Sequence, residues 1–568
     1  MRKLIAPMKH RIGQILAISL LLLIQVYCDL TLPQYTADIV NIGIQNTDFN
    51  FIIATGEMML LMVAISALAT VGVSYFSSRV SSGYAKDLRK IVYIKVLKFS
   101  NHELNKISRS SLITRSTNDI NQLQSVLGMI FTTLLFAPLL GIGSIIKAFE
   151  LGTDLSWIIA VTFVAVIILL VIVIFKVLPY FKVIQEITDK INKISREILI
   201  GIPVIKAFVR QDYERKKFNK TNKELYDINI YVFKTILIML PLMTLIMNLM
   251  VVLILYFGAY DALSGSILTG DIIAFIQYAT QIVTSFLMIG AFFIILPRIL
   301  VSGRRVNEVL TTELTITDGE LDKINPNSTI EFKNVYYQYP GSEKETLRDI
   351  NFSLKPAKTT AIIGGTGSGK STILNLIPRL QDPTSGEILI DGVNIKNLKL
   401  NALRDKISFT PQKAILFQGT VKSNLKTGKN DATDDEINNA LNMAQVDFVE
   451  NLDEEVTQGG ANFSGGQKQR LSIARAIIGQ HDFYLFDDCF SALDMNTERQ
   501  IKQNLKSLKN SSILIVSQRI STIMDADEIL VMDNGEIVDR GTHESLTESC
   551  EIYREIVNTQ IDSMEAAL

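Results

Sequence analysis

The sequence predicts a multidomain protein in two parts, a helical membrane domain of six spans followed by an α/β domain. Three observations carry this expectation. Six apolar runs, near 12–33, 51–77, 127–147, 155–178, 232–260 and 271–297, approach or exceed the ~20 residues that cross a bilayer as a helix. The loops between them sort by charge. From about residue 329 to 556 the pattern changes to short β-type runs alternating with helical ones, as in an α/β domain. The 568 residues exceed one ordinary core. The mean hydropathy of +0.27 is high, and its excess lies in the first 300 residues.

Arg2, Lys3, Lys9 and Arg11 precede the first run. That run is long for a signal peptide and no small-residue cleavage site follows it, so it is read as the first span. The loops near 34–50, 148–155 and 261–270 hold no Lys or Arg, whereas 79–126 holds Arg79, Lys86, Arg89, Lys90, Lys95, Lys98, Lys106, Arg109 and Arg115. The segment 179–231 is similarly rich in Lys. The positive-inside rule therefore puts the N-terminus, both long loops and everything after 298 in the cytoplasm.

Both long loops keep helix-type apolar spacing, as in Ile91, Ile94, Leu97 and Leu104, so the membrane helices are expected to continue beyond the bilayer. Turning points are expected at Thr114–Asp119 and Gly201–Phe208. The polar stretch 303–328, with Pro326, reads as the boundary. The domains are then 1–310 and 328–560.

Gly364-Gly365-Thr366-Gly367-Ser368-Gly369-Lys370-Ser371 fits the phosphate-loop pattern, between the apolar run Thr360–Ile363 and the helical run from Thr372 to Leu376. Backbone N–H groups in such a loop converge on phosphate at a helix N-terminus. Lys370 adds charge, and the Ser371 hydroxyl can ligate Mg²⁺. Phe483–Asp487 reads as a buried strand ending in a magnesium-associated carboxylate, followed by Asp488. Ile513–Ser517 ends another buried strand, and Gln518 follows. The net charge of −1 gives no polyelectrolyte case for nucleic acid. Cys28, Cys489 and Cys550 are scattered, and neither they nor the four histidines show metal spacing.

Downstream motifs give the family. Ser464-Gly465-Gly466-Gln467 resembles the signature motif of the ATP-binding cassette (ABC) family, Pro411-Gln412 its glutamine loop, and Ser491-Ala492-Leu493-Asp494 its D-loop. Tyr339 is similar to the aromatic residue that stacks on adenine, ahead of Tyr336 and Tyr337. The first domain resembles that of the family's exporters, of type IV architecture, with coupling helices near 114–124 and 201–211. The resemblance covers essentially the whole chain. It implies ATP and Mg²⁺ as cofactors. Tyr339, Gly364 to Thr372, Gln412, Asp487 and Asp494 would hold nucleotide, and Ser371, Gln412 and Asp487 would hold the metal. It also implies a dimer in which each ATP touches the phosphate loop of one chain and the signature motif of the other. ATP binding would then shift the membrane helices from inward to outward access.

The departures are informative. Asp488 stands where the family has a catalytic glutamate, Gln518 where it has a histidine, and Gln458 where exporters show a glutamate ahead of the signature. A carboxylate one methylene shorter misplaces a base by about 1 Å, and glutamine cannot become imidazolium. The pattern resembles the degenerate-site half of a heterodimeric exporter. Ser464, Gly465, Gly466 and Gln467 are intact and would complete a partner's site, while Asp488 and Gln518 mark an impaired one. The expected function is ATP-driven export of small amphipathic or drug-like compounds from a bacterial cytoplasmic membrane, with a second half-transporter, lipids and cargo as partners. Two alternatives stay open: a homodimeric lipid or peptide exporter with slow hydrolysis, and a non-transporting ATP-binding regulatory subunit. Fusion of membrane and ATPase parts disfavours an importer.

Asp29, four residues before Pro33, has two readings. It is a functional carboxylate at membrane depth, or it sits at the water interface or caps a helix break. Gln25, Asn248, Gln277 and Gln281 read as interhelical hydrogen-bonding residues, and Trp157 as an interface anchor.

Overall fold

Each of the six apolar runs is the hydrophobic part of a longer helix. A computed structural model describes residue 4 and residues 6–151, 155–325, 328–508 and 510–565. The Pro326 of the expected boundary lies outside the described residues. The chain divides into two compact units, Met1–Leu97 with Ser110–Thr311, and Lys98–Arg109 with Thr312–Leu568.

In the first unit the spans are Ile12–Asp38, Phe49–Leu97, Arg109–Leu151, Ser156–Ala207, Gln211–Leu263 and Thr269–Thr311. Helices of about 50 residues are some 75 Å long and greatly exceed a bilayer, so the expected continuation beyond the bilayer thickness is present. The turning points fall elsewhere. Residues 114–124 lie inside the third long helical segment. The second helix ends instead at Leu97, and Ser100 caps a short helix, Asn101–Ile107, before Ser108 turns the chain at φ +61°. The Ser100/Glu103 capping box, rather than the polar run at 114, marks this tip. Residues 201–207 are likewise the last turns of the fourth helix. The reversal is confined to Phe208–Arg210, where Val209 adopts φ +53°.

Pro33 does not break the first helix, which runs on to Asp38, so Asp29 caps nothing. Instead Ser66 of the second span donates to Asp29 Oδ1 at 2.8 Å. Gln281 of the sixth span donates to the Asp29 backbone carbonyl at 3.2 Å and accepts from Ser144 of the third at 2.7 Å. A polar layer thus ties four spans together. Small residues bring the helices close: a Cβ on Gly143 would run into Leu30. Trp157 opens the fourth helix and meets Phe257 edge-on at 5.3 Å.

The second unit is built on two sheets. A four-stranded antiparallel sheet has the order Leu347–Leu354, Ile330–Tyr337, Ser385–Ile390, Val393–Asn394. A six-stranded sheet has the order Glu536–Gly541, Glu528–Asp533, Thr359–Gly364, Ser512–Val516, Phe483–Asp487, Ile407–Thr410. It is parallel except for its first strand. Its three central strands are buried on both faces because both are covered. Ala361, Ile363, Tyr484, Phe486, Ile513 and Ile515 enter one core. The alternate residues Ile362, Phe483, Leu485, Leu514 and Val516 enter the other. Three central strands therefore end side by side, at Gly364, Val516 and Asp487.

Candidate nucleotide site

The carboxyl ends of those three strands open into one cavity of about 430 Å³. Open α/β sheets place ligands at this edge. The first strand turns through Gly364 (φ +157°) and Gly369 (φ +101°) into the helix Lys370–Leu376. A side chain at Gly369 would be strained and would meet Leu347 Cδ2 at 2.6 Å. Thr366, Gly367, Gly369, Lys370, Ser371 and Thr372 line the cavity. Gly364, Gly365 and Ser368 shape the loop behind it.

Lys370 is buried. Its Nζ donates to the carbonyls of Gly364 at 2.9 Å and Gly365 at 2.7 Å and to Ser368 Oγ at 3.3 Å. Burial lowers its pKa, against the pull of Asp488 and Asp487. An ammonium held on its own loop's carbonyls is poised to exchange them for an anion. Ser371 Oγ donates to Asp487 Oδ1 at 2.9 Å. Burial raises the pKa of Asp487 and of Asp488. Gln412 Nε2 donates to Asp488 Oδ2 at 3.4 Å. Ser371 and Asp487 thus converge oxygen donors of the kind a hard divalent cation takes, and Gln412 lines the same cavity.

Tyr339 lines the cavity, its hydroxyl 3.2 Å from Thr372 Oγ1. Tyr337 is buried in the sheet beside it, and neither it nor Tyr336 reaches the cavity lining. Asp488 follows its strand with φ +45°, its N–H donating to Val516 O at 2.9 Å. Gln518 enters from the neighbouring strand. Two lining residues escaped the sequence reading, Thr346 and Val516. Val516 was visible as the last residue of its strand, whereas Thr346 carries no motif and arrives from the other sheet.

Asp494 and Ser464–Gln467 stand outside this cavity. Asp494 caps the helix Met495–Leu505, accepting from Thr497 N at 3.0 Å. Ser464 caps the helix Gly465–Ile477: Ser464 N donates to Gln467 Oε1 at 2.8 Å, and Gln467 N to Ser464 Oγ at 3.3 Å. A Cβ at Gly465 would meet nothing within 4 Å.

Similarity to known proteins decides the family. Residues 15–286 match the ABC transporter transmembrane region and residues 347–491 the ABC transporter family. An uncharacterised ABC transporter ATP-binding protein of Mycobacterium tuberculosis is 36% identical over 99% of this chain and 97% of its own length. The chain belongs to the ABC transporter family. A probable multidrug resistance ABC transporter ATP-binding/permease protein of Bacillus subtilis is 31% identical, with 88% of both chains covered. An ATP-dependent lipid A-core flippase of Pseudomonas fluorescens is 30% identical over 88% of this chain and 84% of its own. The solved structure of a bacterial Atm1-family ABC exporter with ATP bound superposes with a TM-score of 0.79 at 22% identity, covering 97% of this chain and 98% of that one. The chain thus joins an ABC transporter membrane region of six apolar helices to an ABC transporter α/β domain, on the fold of that exporter.

Proposed function

We propose that this chain is the subunit of a heterodimeric exporter whose own ATP site binds nucleotide and hydrolyses it poorly. The observation that carries this reading is the pair Asp488 and Gln518 in one cavity with an otherwise full set of binding groups. The phosphate-loop amides and Lys370 fit a triphosphate, Tyr339 an adenine, and Ser371, Asp487 and Gln412 a Mg²⁺ ion. When bound, Mg²⁺–ATP would supply the phosphoanhydride bond to be cleaved. What this chain adds is binding and charge. Asp488 carries the carboxylate on the shorter stem, away from where a base must lie to take a proton. Gln518 supplies hydrogen bonds without a titratable ring.

Ser464–Gln467, outside the cavity, are free to meet the ATP of a partner chain. Transport would reside in the pair, with hydrolysis mainly at the partner's site resetting the spans. The cargo would be small and amphipathic, in keeping with the names of the multidrug and lipid A-core relatives. The membrane would be the bacterial cytoplasmic one.

The test compares the reconstituted chain alone and with whatever second half-transporter co-purifies. Alone it should turn over ATP far more slowly than in the pair, and unhydrolysed ATP should be trapped on its own phosphate loop in the pair. Robust activity of the lone chain, abolished by Lys370→Ala, would support a homodimer and reject this proposal.

A further inference from the structure

Gln560, in the carboxyl-terminal helix Glu551–Glu565, lays its side-chain amide against the loop that leaves the strand Ser512–Val516. Its Nε2 donates to the Gln518 carbonyl at 2.7 Å, and its Oε1 accepts from Ile520 N at 2.9 Å. Arg519 between them is extended, at φ −98° and ψ 128°. In an extended chain the carbonyl before a residue and the N–H after it point to the same side. One primary amide therefore pairs with this loop as a single rung of a β-ladder would. The N–H of Arg519 turns the other way, to Ser517 Oγ at 3.0 Å. Ile520 opens the short helix Ile520–Ile523, and its capping residue, Arg519, makes no side-chain cap. Gln560 accepts from the first N–H of that helix, which has no intrahelical partner, from 40 residues away.

The helix that carries Gln560 is firmly seated. Tyr553 is fully buried with its hydroxyl 2.8 Å from His543 Nδ1. Val557 packs in the same core as Ile520 and Ile523. The braced loop reaches two places at once. Gln518 lines the cavity. The Arg519 guanidinium donates to the carbonyls of Ser491 at 2.7 Å and Leu493 at 3.5 Å, just ahead of Asp494.

We infer that Gln560 is a positioning residue: its amide fixes the loop that holds Gln518 at the nucleotide cavity and Arg519 on the Ser491–Asp494 turn. The carboxyl-terminal helix thereby sets how long nucleotide is retained. This rests on the nucleotide reading of the cavity. Gln560→Glu keeps length and acceptor but removes the donor and sets a carboxylate against the Gln518 carbonyl. Gln560→Ala removes both bonds.

The experiment uses the full chain with its co-purifying partner in lipid nanodiscs. It reads dissociation of radiolabelled Mg²⁺–ATP and hydrogen exchange. Both variants should release ATP about tenfold faster, the equivalent of one or two net hydrogen bonds. Exchange should rise across 517–523 while 551–558 stays protected. Wild-type retention with unchanged exchange at 517–523 would overturn the inference. Loss of protection throughout 551–558 would also overturn it, because Gln560 would then merely seat the helix. Lys370→Ala separates the two readings. If it retains ATP like the wild type, the nucleotide reading fails, while exchange at 517–523 still decides whether Gln560 braces the loop.

Discussion

Gln281 donates its side-chain amide to the backbone carbonyl of Asp29 at 3.2 Å, the carbonyl that Pro33, four residues on, cannot serve because proline has no N–H. An unsatisfied carbonyl within a membrane span costs free energy, so the sixth span supplies what the first lacks. Gln281→Leu should lower unfolding free energy by about 1–2 kcal/mol. Pro33→Ala returns a helical donor to Asp29, so Gln281→Leu should cost measurably less in that background. A double-mutant cycle of unfolding in detergent checks the coupling. Strict additivity would mean that Gln281 acts through Ser144 alone.

The Asp29 carboxylate itself accepts from Ser66 and makes no ion pair among the described residues. A carboxylate in a span without a basic partner can serve as counter-charge for cationic cargo. Asp29→Asn should reduce transport of cationic amphiphiles several-fold and leave basal ATPase nearly intact. Equal losses for neutral and cationic compounds, measured in the same vesicles, would assign Asp29 to packing.

Glu103 offers a pH test away from the membrane. It is 1% exposed. Burial alone would raise its pKa, but hydrogen bonds from Ser100 Oγ, Thr315 N and Ser100 N outweigh burial and hold it at about 2. A pKa below the ordinary value means that the ionised form stabilises the fold. That contribution is complete above the ordinary carboxylate range and is lost as pH falls toward 2. Glu103→Gln should therefore cost about 2–3 kcal/mol at neutral pH. The gap in melting temperature between wild type and variant should close between about pH 4.5 and 2.5. A gap independent of pH would show that shape, not charge, holds the short helix Asn101–Ile107.

The spans and the phosphate loop were legible because their signals are local: an apolar length, and eight consecutive residues. The helix tips were not, because apolar spacing continues past the bilayer and does not say where a helix stops. The informative signal was the Ser100/Glu103 capping box, while the polar run at 114–119, read as a turning point, lies inside a helical segment. Asp29 before Pro33 suggested a helix break, since the compensating donor, Gln281, lies on another span. Thr346 and Gln560 join the site and its loop from distant parts of the chain, where no motif announces them.

The signature residues give the widest contrast between positions. Ser464 and the Gly465 and Gly466 amides open the 13-residue helix Gly465–Ile477, whose N-terminal end carries partial positive charge. In the proposed pair they face the partner's ATP, where losing one preorganised donor costs ~100–1000-fold in rate. Gly465 has open space around it in this chain, so Gly465→Asp should leave the fold and melting temperature intact. Ser464→Arg and Gly465→Asp are therefore expected to abolish steady-state ATPase of the heteromer. Asp488→Ala and Gln518→Ala should be clearly milder, because on the proposed reading the cavity they line, without the glutamate and histidine, has less hydrolysis to lose. The comparison is made on matched variants in one lipid. If the Asp488 and Gln518 variants are as inactive as the signature variants, this chain's own cavity is the catalytic one, and the division of labour between two unlike halves falls.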